Sequence, residues 1–202
     1  RYGLDAVRYF MLREVPFGQD GDFSHRAMVG RINGDLANDF GNLAQRVLSM
    51  IGRYCGGRVP IPSGFNDDDK ALLDASGGLL ARMRAQIDRQ VLHGALIDMW
   101  EVIAAANGYV ARQAAWTLRK TDPARMQTVL FVCAETVRRL AVLAQPFMPD
   151  SAALMLDQLC VAPERRTFET LGPDHALLPG TLLPTPVGVF PRFVERDAAS
   201  AS

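Results

Sequence analysis

The sequence predicts an all-α fold, a helical bundle with an extended C-terminal tail. Apolar residues recur at helical spacing over several long stretches, Pro interrupts them at joints, and Ser, Asn and Asp stand where helix starts need caps. At 202 residues and 49% apolar content, the chain can bury a genuine core, as one domain with appendages or as a small two-part unit.

Residues 5–15 have helical periodicity, with Val7, Tyr9, Phe10 and Leu12 apolar, and Pro16 ends them. Residues 17–23 read as a loop. Asp20 and Asp22 within it have no His or nucleophile beside them and no EF-hand spacing, so they read as turn and capping residues. Tyr9, Phe10 and Phe17 are expected to need cover from chain beyond residue 1.

Ser24 is an N-cap for a helix running to about Tyr54, closed by Gly56 and Gly57. At 100° per residue, Ile32, Leu36, Phe40, Leu43, Val47, Met50 and Tyr54 form a core-facing stripe about 80° wide. Asn42 and Arg46 fall roughly 40–80° beyond its edge, where side chains flank a packed interface and stay partly wet. After Pro60 and Pro62, Asn66 and three aspartates start a helix to about Arg89, weakened in its middle by Gly77 and Gly78.

A further helix from about Val91 carries Leu92, Leu96, Met99, Ile103, Ala106, Val110 and Ala114 on one face. Trp100 borders that stripe and reads as core. Asn107 lies within it and should bond to backbone or to a neighbouring helix. His93, near the helix start, reads as structural. Trp116 falls well outside the stripe if the helix persists that far; if the helix ends earlier, the indole packs elsewhere. Asp122 and Pro123 are the N-cap and first residue of the next helix, which ends near Gln145 and Pro146. A short helix at 149–160 follows. The tail from Val161 is rich in Pro and Gly, with one strand candidate at 187–194, interrupted by Pro191, and residues 197–202 read as disordered.

Formal net charge is +0, so any contact with nucleic acid must be local. Between Val102 and Gln145, Arg112, Arg119, Lys120, Arg125, Arg138 and Arg139 face only Asp122 and Glu135. Cys55, Cys133 and Cys160 have no metal-binding spacing with each other or with His25, His93 or His175, and fit reduced thiols in a cytoplasm. No apolar run approaches the ~20 residues of a membrane span. The start at Arg1, without a signal peptide or an initiator Met, reads as an excision from a longer polypeptide. No phosphate loop, dinucleotide fingerprint, nucleophile elbow or metal set occurs, so no catalytic residue and no metal site is assigned.

The residues that could carry function are Asn42, Arg46 and Trp116. An amide and a guanidinium fork can read the edge of an unpaired base, and an indole can stack on its face. The plainer reading of the Asn42–Arg46 pair is a solvated helix face.

Three stretches together resemble methionyl-tRNA synthetase: RYGLDAVRYFMLREVPFGQDGDFS at 1–24, GDLANDFGNLAQR at 34–46 and ANGYVARQAAW at 106–116. The resemblance runs to about residue 195. It implies a helical bundle of the class I anticodon-binding type at 24–160, a connecting segment from a catalytic domain at 1–23 that contacts the tRNA stem, and a C-terminal return at 161–202. It further implies that Asn42, Arg46 and Trp116 read the CAU anticodon of a methionine-specific tRNA, with Trp116 stacked on cytosine. The His-Ile-Gly-His and Lys-Met-Ser-Lys-Ser type motifs that hold ATP in this family are not in this chain. ATP is therefore expected as a substrate of the parent ligase, with no cofactor in this segment. Ala115 stands where the family often has Pro, and alanine permits the helix to run on. Two other readings are an anticodon-binding domain of another class I synthetase and a non-enzymatic helical module that docks a partner protein.

Overall fold

The computed structural model describes residues 2–15, 18 and 23–195. The expectations for Pro16, Phe17, Asp20, Asp22 and residues 197–202 lie outside the described residues. Helix α1 (Leu4–Glu14) is followed by α2 (His25–Arg31), which the Ser24 hydroxyl caps by accepting from the Ala27 N–H at 3.1 Å. The helix expected from Ser24 to Tyr54 is continuous in path but not in winding. Residues Ile32–Gly41 are π-helical and lead without a break into α3 (Asn42–Tyr54). At the junction the Asn42 N–H donates to the Ala37 carbonyl, five residues back. Apolar periodicity could not reveal this, because Ile32, Leu36 and Phe40 step by four and stay on the buried side under either winding. Gly41 closes the wide turn. A Cβ there would lie 2.9 Å from the Leu36 carbonyl oxygen.

Tyr9 and Phe10 need no cover from elsewhere; both are 0% exposed. The Tyr9 ring lies 4.7 Å from that of Trp100, and its hydroxyl donates to Asp35 Oδ2 at 2.6 Å. Phe10 joins Met28 and Ile32 in a small second cluster. Thus α1 is held by α2, the π-helical stretch and the middle of the bundle.

Asn66 and Asp69 form a reciprocal capping box at the start of α4 (Asp67–Gly77). The predicted weak middle is a break: the chain bends at Gly78 into α5 (Leu79–Asp88). In α6 (Leu92–Gln113) the predicted stripe is buried from Leu96 to Val110, with its end residues Leu92 and Ala114 half-buried. Asn107 Nδ2 donates to the carbonyls of Asp39 and Ile103, each at 3.2 Å, as its place in that stripe required.

The α6 helix does not run on through Ala115. Ala114 adopts φ 45° and ψ 55°, and a separate helix, α7 (Ala115–Thr121), folds onto the next one, α8 (Pro123–Ala144). A straight continuation would carry residues 114–121 about 12 Å past α6's last residue, at 1.5 Å per residue. Turning back instead buries Ala115 and packs Leu118 on the core.

Helix α8 is the central strut, buried on every side from Thr128 to Ala144. The three charged residues in that span form one cluster, with both arginines on the single carboxylate. Glu135 accepts from Arg138 at 2.7 and 2.8 Å, from Arg139 at 3.0 Å and from the Leu177 N–H at 3.0 Å. The remaining arginine donors reach the carbonyls of Thr170 and Leu73.

Helix α9 (Pro149–Gln158) precedes an irregular return with three short 3₁₀ turns. The strand candidate at 187–194 is not a strand, and the only β-type pairing among the described residues is the isolated bridge between Arg58 and Leu182. Pro184, Pro186 and Pro191 remove ladder donors. The Val187 N–H is taken instead by Gln158 Oε1 at 2.7 Å.

Candidate nucleic-acid interface

Asn42 opens α3 with its side chain exposed, and Arg46 stands one turn further on, half-buried. Among the described residues neither side chain has a hydrogen-bond partner, and Arg46 has no carboxylate partner. Several other arginines are paired, Arg31 with Glu14, Arg125 with Asp69, Arg138 and Arg139 with Glu135 and Arg166 with Asp157, while Arg8 and Arg58 donate to backbone carbonyls. The Arg46 charge is felt in the interior. Burial and Asp69 push the Cys133 thiol well above its ordinary range, while Arg46 and Arg125 oppose them.

Helix α3 contains no acid. Eleven residues after Asn42, Arg53 returns to about 20° from it on a helical wheel, and it too is exposed and unpaired by carboxylate among the described residues. Asn42, Arg46 and Arg53 therefore make one ridge. Arg53 is a site residue not named from sequence above, and the same 100° arithmetic that marks Arg46 locates it.

Trp116 sits in the first turn of α7 with 44% of its surface exposed. Its counterpart Trp100 is half-buried between Tyr9 and Phe40. Large exposed aromatics are costly to keep wet and are favoured where a flat ligand will cover them. The helix of Trp116 is tied to that of Arg46 at one point: the Arg119 guanidinium lies 5.1 Å from the centre of the Tyr54 ring. Trp116 precedes Arg119 by about 4.5 Å of helix, and Arg46 precedes Tyr54 by about 12 Å. The structure thus brings Asn42 and Arg46 together on one ridge and puts Trp116 on the adjoining short helix.

The basic bias at 102–145 divides differently from the sequence tally. Arg125, Arg138 and Arg139 are turned inward onto Asp69 and Glu135, which leaves Arg112, Arg119 and Lys120 exposed. Near the candidate site, exposed positive charge stands on the end of α6 (Arg112), on α7 (Arg119 and Lys120) and on the acid-free α3 (Arg53). No group of three or more His, Cys, Asp or Glu among the described residues is set to hold a metal ion. No helix among them is long and apolar enough to cross a membrane.

The helical fold and its similarity to known proteins define the class: a helical anticodon-binding domain. A family model described as the anticodon binding domain of methionyl tRNA ligase matches residues 59–201, and a second, described as tRNA synthetases class I (M), matches residues 1–48. The chain belongs to the methionyl-tRNA ligase family. Similar proteins include the methionine–tRNA ligases of Mesorhizobium japonicum, 56% identical over 99% of this chain, and of Mycobacterium bovis, 52% identical over 95%. The chain spans 39% and 37% of their lengths. Among solved structures, apo Mycobacterium tuberculosis methionyl-tRNA synthetase superposes with a TM-score of 0.93 at 51% identity, over 96% of this chain and 40% of that one. The same enzyme bound by methionyl-adenylate gives a TM-score of 0.91 at 52% identity, over 94% and 38%. These matches favour the methionine reading over a different class I synthetase and over a protein-docking module.

Proposed function

We propose that the chain is the tRNA-recognition part of a cytoplasmic methionine–tRNA ligase and reads the CAU anticodon of methionine-specific tRNA. In this reading Asn42 and Arg46 contact base edges, and Trp116 stacks on the first base, cytosine. Residues 1–23 connect to the catalytic domain of the same polypeptide, 24–160 form the reading bundle, and 161–202 return along it. The parent enzyme would join methionine to the tRNA at the expense of ATP, and this segment would take no part in that chemistry.

One observation carries the reading: a solvent-facing indole on a helix anchored to the helix that presents an unpartnered amide and guanidinium. Stacking on an aromatic contributes roughly 1–3 kcal/mol per base but does not discriminate between bases. Discrimination must come from the edge contacts.

The test is affinity for an RNA hairpin with a CAU loop at fixed salt. Trp116→Ala and Arg46→Gln should each weaken binding by ~1–3 kcal/mol, and exchanging the loop's cytosine should weaken binding to the unaltered chain. RNA should also quench indole fluorescence in Trp100→Phe and not in Trp116→Phe. Unchanged affinity in both binding variants overturns the assignment.

A further inference from the structure

Two clefts lie end to end along the exposed side of α3. The first encloses about 290 Å³ between Asn38, Asn42 and Gln45 on the helix side and Val189, Phe190 and Arg192 across from them. The second encloses about 440 Å³ between Ser49, Gly52 and Arg53 and the segment Leu182 to Pro186. Gln45, Ser49 and Gly52 fall within about 80° of Asn42 on a helical wheel, all on the side away from Arg46. The extended tail is the far wall of both. They are one groove, and the Asn42–Arg46–Arg53 ridge is its rim.

The wall is fixed at both ends. Near Leu182 the Val59 N–H donates to the Thr181 carbonyl at 2.9 Å, and the Leu183 N–H donates to the Gly57 carbonyl at 2.7 Å. Near Arg192 the Asn33 amide and the Phe193 backbone exchange hydrogen bonds at 2.8 and 3.1 Å. Arg192 itself donates to the Asn38 side-chain oxygen. That bond leaves guanidinium donors over and turns the Asn38 amide oxygen away from any ligand.

The chemistry of the lining is one-sided. It offers two arginines, three side-chain amides and the hydroxyls of Ser49 and Thr185, and no carboxylate lines either cleft. Among the described residues neither Arg53 nor Arg192 is ion-paired. One cation without a carboxylate partner among the described residues thus stands at each end of an acid-free groove, whose walls between them mix apolar side chains with amides and hydroxyls. From Asn38 to Arg53 is on the order of 22 Å of helix, about the axial length of six stacked nucleotides at ~3.4 Å each.

We propose that this groove seats the sugar–phosphate backbone of the RNA strand that flanks the read nucleotides, with Arg53 and Arg192 each contacting a phosphate. The inference rests on the RNA-reading function proposed above and adds a positioning surface to it. Phosphate contacts set the register in which Asn42, Arg46 and Trp116 meet their bases, and carry no sequence information themselves.

The experiment is titration of the chain with CAU-loop and altered-loop hairpins across a series of salt concentrations. Arg53→Gln and Arg192→Gln should each weaken binding to both hairpins by the same factor and make the slope of log affinity against log salt shallower by ~0.7, the value for one single-strand phosphate. Asn38→Ala, which removes the tail contact but keeps the cation, should leave the slope unchanged. Unaltered slopes in both arginine variants overturn the groove assignment while leaving anticodon reading intact. A shallower slope in Asn38→Ala equal to that of Arg192→Gln overturns the phosphate role of Arg192 in favour of tail anchoring. A change in the ratio between the hairpins overturns it in favour of base reading. If the unaltered chain binds neither hairpin, the RNA reading fails first and this inference with it.

Discussion

The Arg119 guanidinium covers the face of the Tyr54 ring, and through this contact the short helix bearing Trp116 is clasped to the end of the helix bearing Asn42 and Arg46. Tyr54 was expected within the core stripe and is half-buried, packed against the core while the arginine lies over its ring.

Tyr54→Leu keeps the apolar contact and removes the π face. The loss of a partly exposed cation–π pair is worth about 0.5–1 kcal/mol, so the melting temperature should move little. The orientation of α7 should move more. Fluorescence anisotropy of Trp116, read in a Trp100→Phe background, should fall in Tyr54→Leu, and an unchanged value would show that Leu118 and Ala115 alone fix the helix.

Ala114 is the residue that turns α6 into α7, with φ 45° where a glycine is the usual occupant. The left-handed conformation costs an L-residue roughly 1–2 kcal/mol, here offset by the burial of Ala115. Ala114→Gly should therefore raise stability by ~0.5–1 kcal/mol, seen as a higher urea midpoint at unchanged slope. Ala114→Val should lower it. A lower midpoint in Ala114→Gly would show that the turn holds no strain.

Much of the bundle was legible because periodicity, caps and breakers agree. Ser24, Asn66 and Asp122 each cap the helix that the sequence assigned to them. What escaped were features set by tertiary fit. The π-helical winding of Ile32–Gly41 is hidden by steps of four that suit two helix types. The turn at Ala114 has no glycine or proline to announce it, and accompanies the burial of Ala115 and the packing of Leu118 on the core. A tally of basic residues cannot show that Arg138 and Arg139 are enclosed with their partner Glu135. For the site, wheel angles found the wet positions Asn42 and Arg46, but no local pattern could show that the tail at 182–192 lies alongside them.

Asp69 is wholly buried and is held by Arg125 at 2.8 Å through Nη2 as well as through Nη1, by the Tyr109 hydroxyl and by the Asn66 backbone. Burial alone would raise its pKa, but the hydrogen bonds from Arg125, Tyr109 and Asn66 outweigh it and hold the carboxyl below its ordinary value. A carboxyl with a folded pKa below its unfolded value, near 3.9, stabilises the fold fully above that pH and loses the contribution as pH falls through the lower folded value. Stability should therefore decline below about pH 4. Asp69→Asn should cost ~1.5–3 kcal/mol at pH 7, because it removes charged hydrogen bonds from an Arg125 that keeps its bond to Gln113 and some exposure, and should flatten the acid limb of the stability curve. An acid limb as steep in Asp69→Asn as in the unaltered chain would assign that limb to other carboxylates.

Gly41 sits where the π-helical stretch, α3 and the tail meet. A Cβ at this position would lie 2.9 Å from the Leu36 carbonyl oxygen and 3.3 Å from two carbons of Phe190. Backbone cannot yield at the first contact without tightening the wide turn, and Phe190 can yield at the second only by lifting the tail. Gly41→Ala should therefore destabilise the chain by about 1–3 kcal/mol, as overpacking does elsewhere, despite alanine's better helix propensity. Its particular mark should be local. The Phe193 amide, which donates to Asn33 Oδ1, should exchange with solvent faster in Gly41→Ala than in the unaltered chain, while amides in the middle of α8 change only as far as global stability falls. Retained Phe193 protection, with stability lost evenly, would mean that the strain is absorbed within the helix and the tail stays seated.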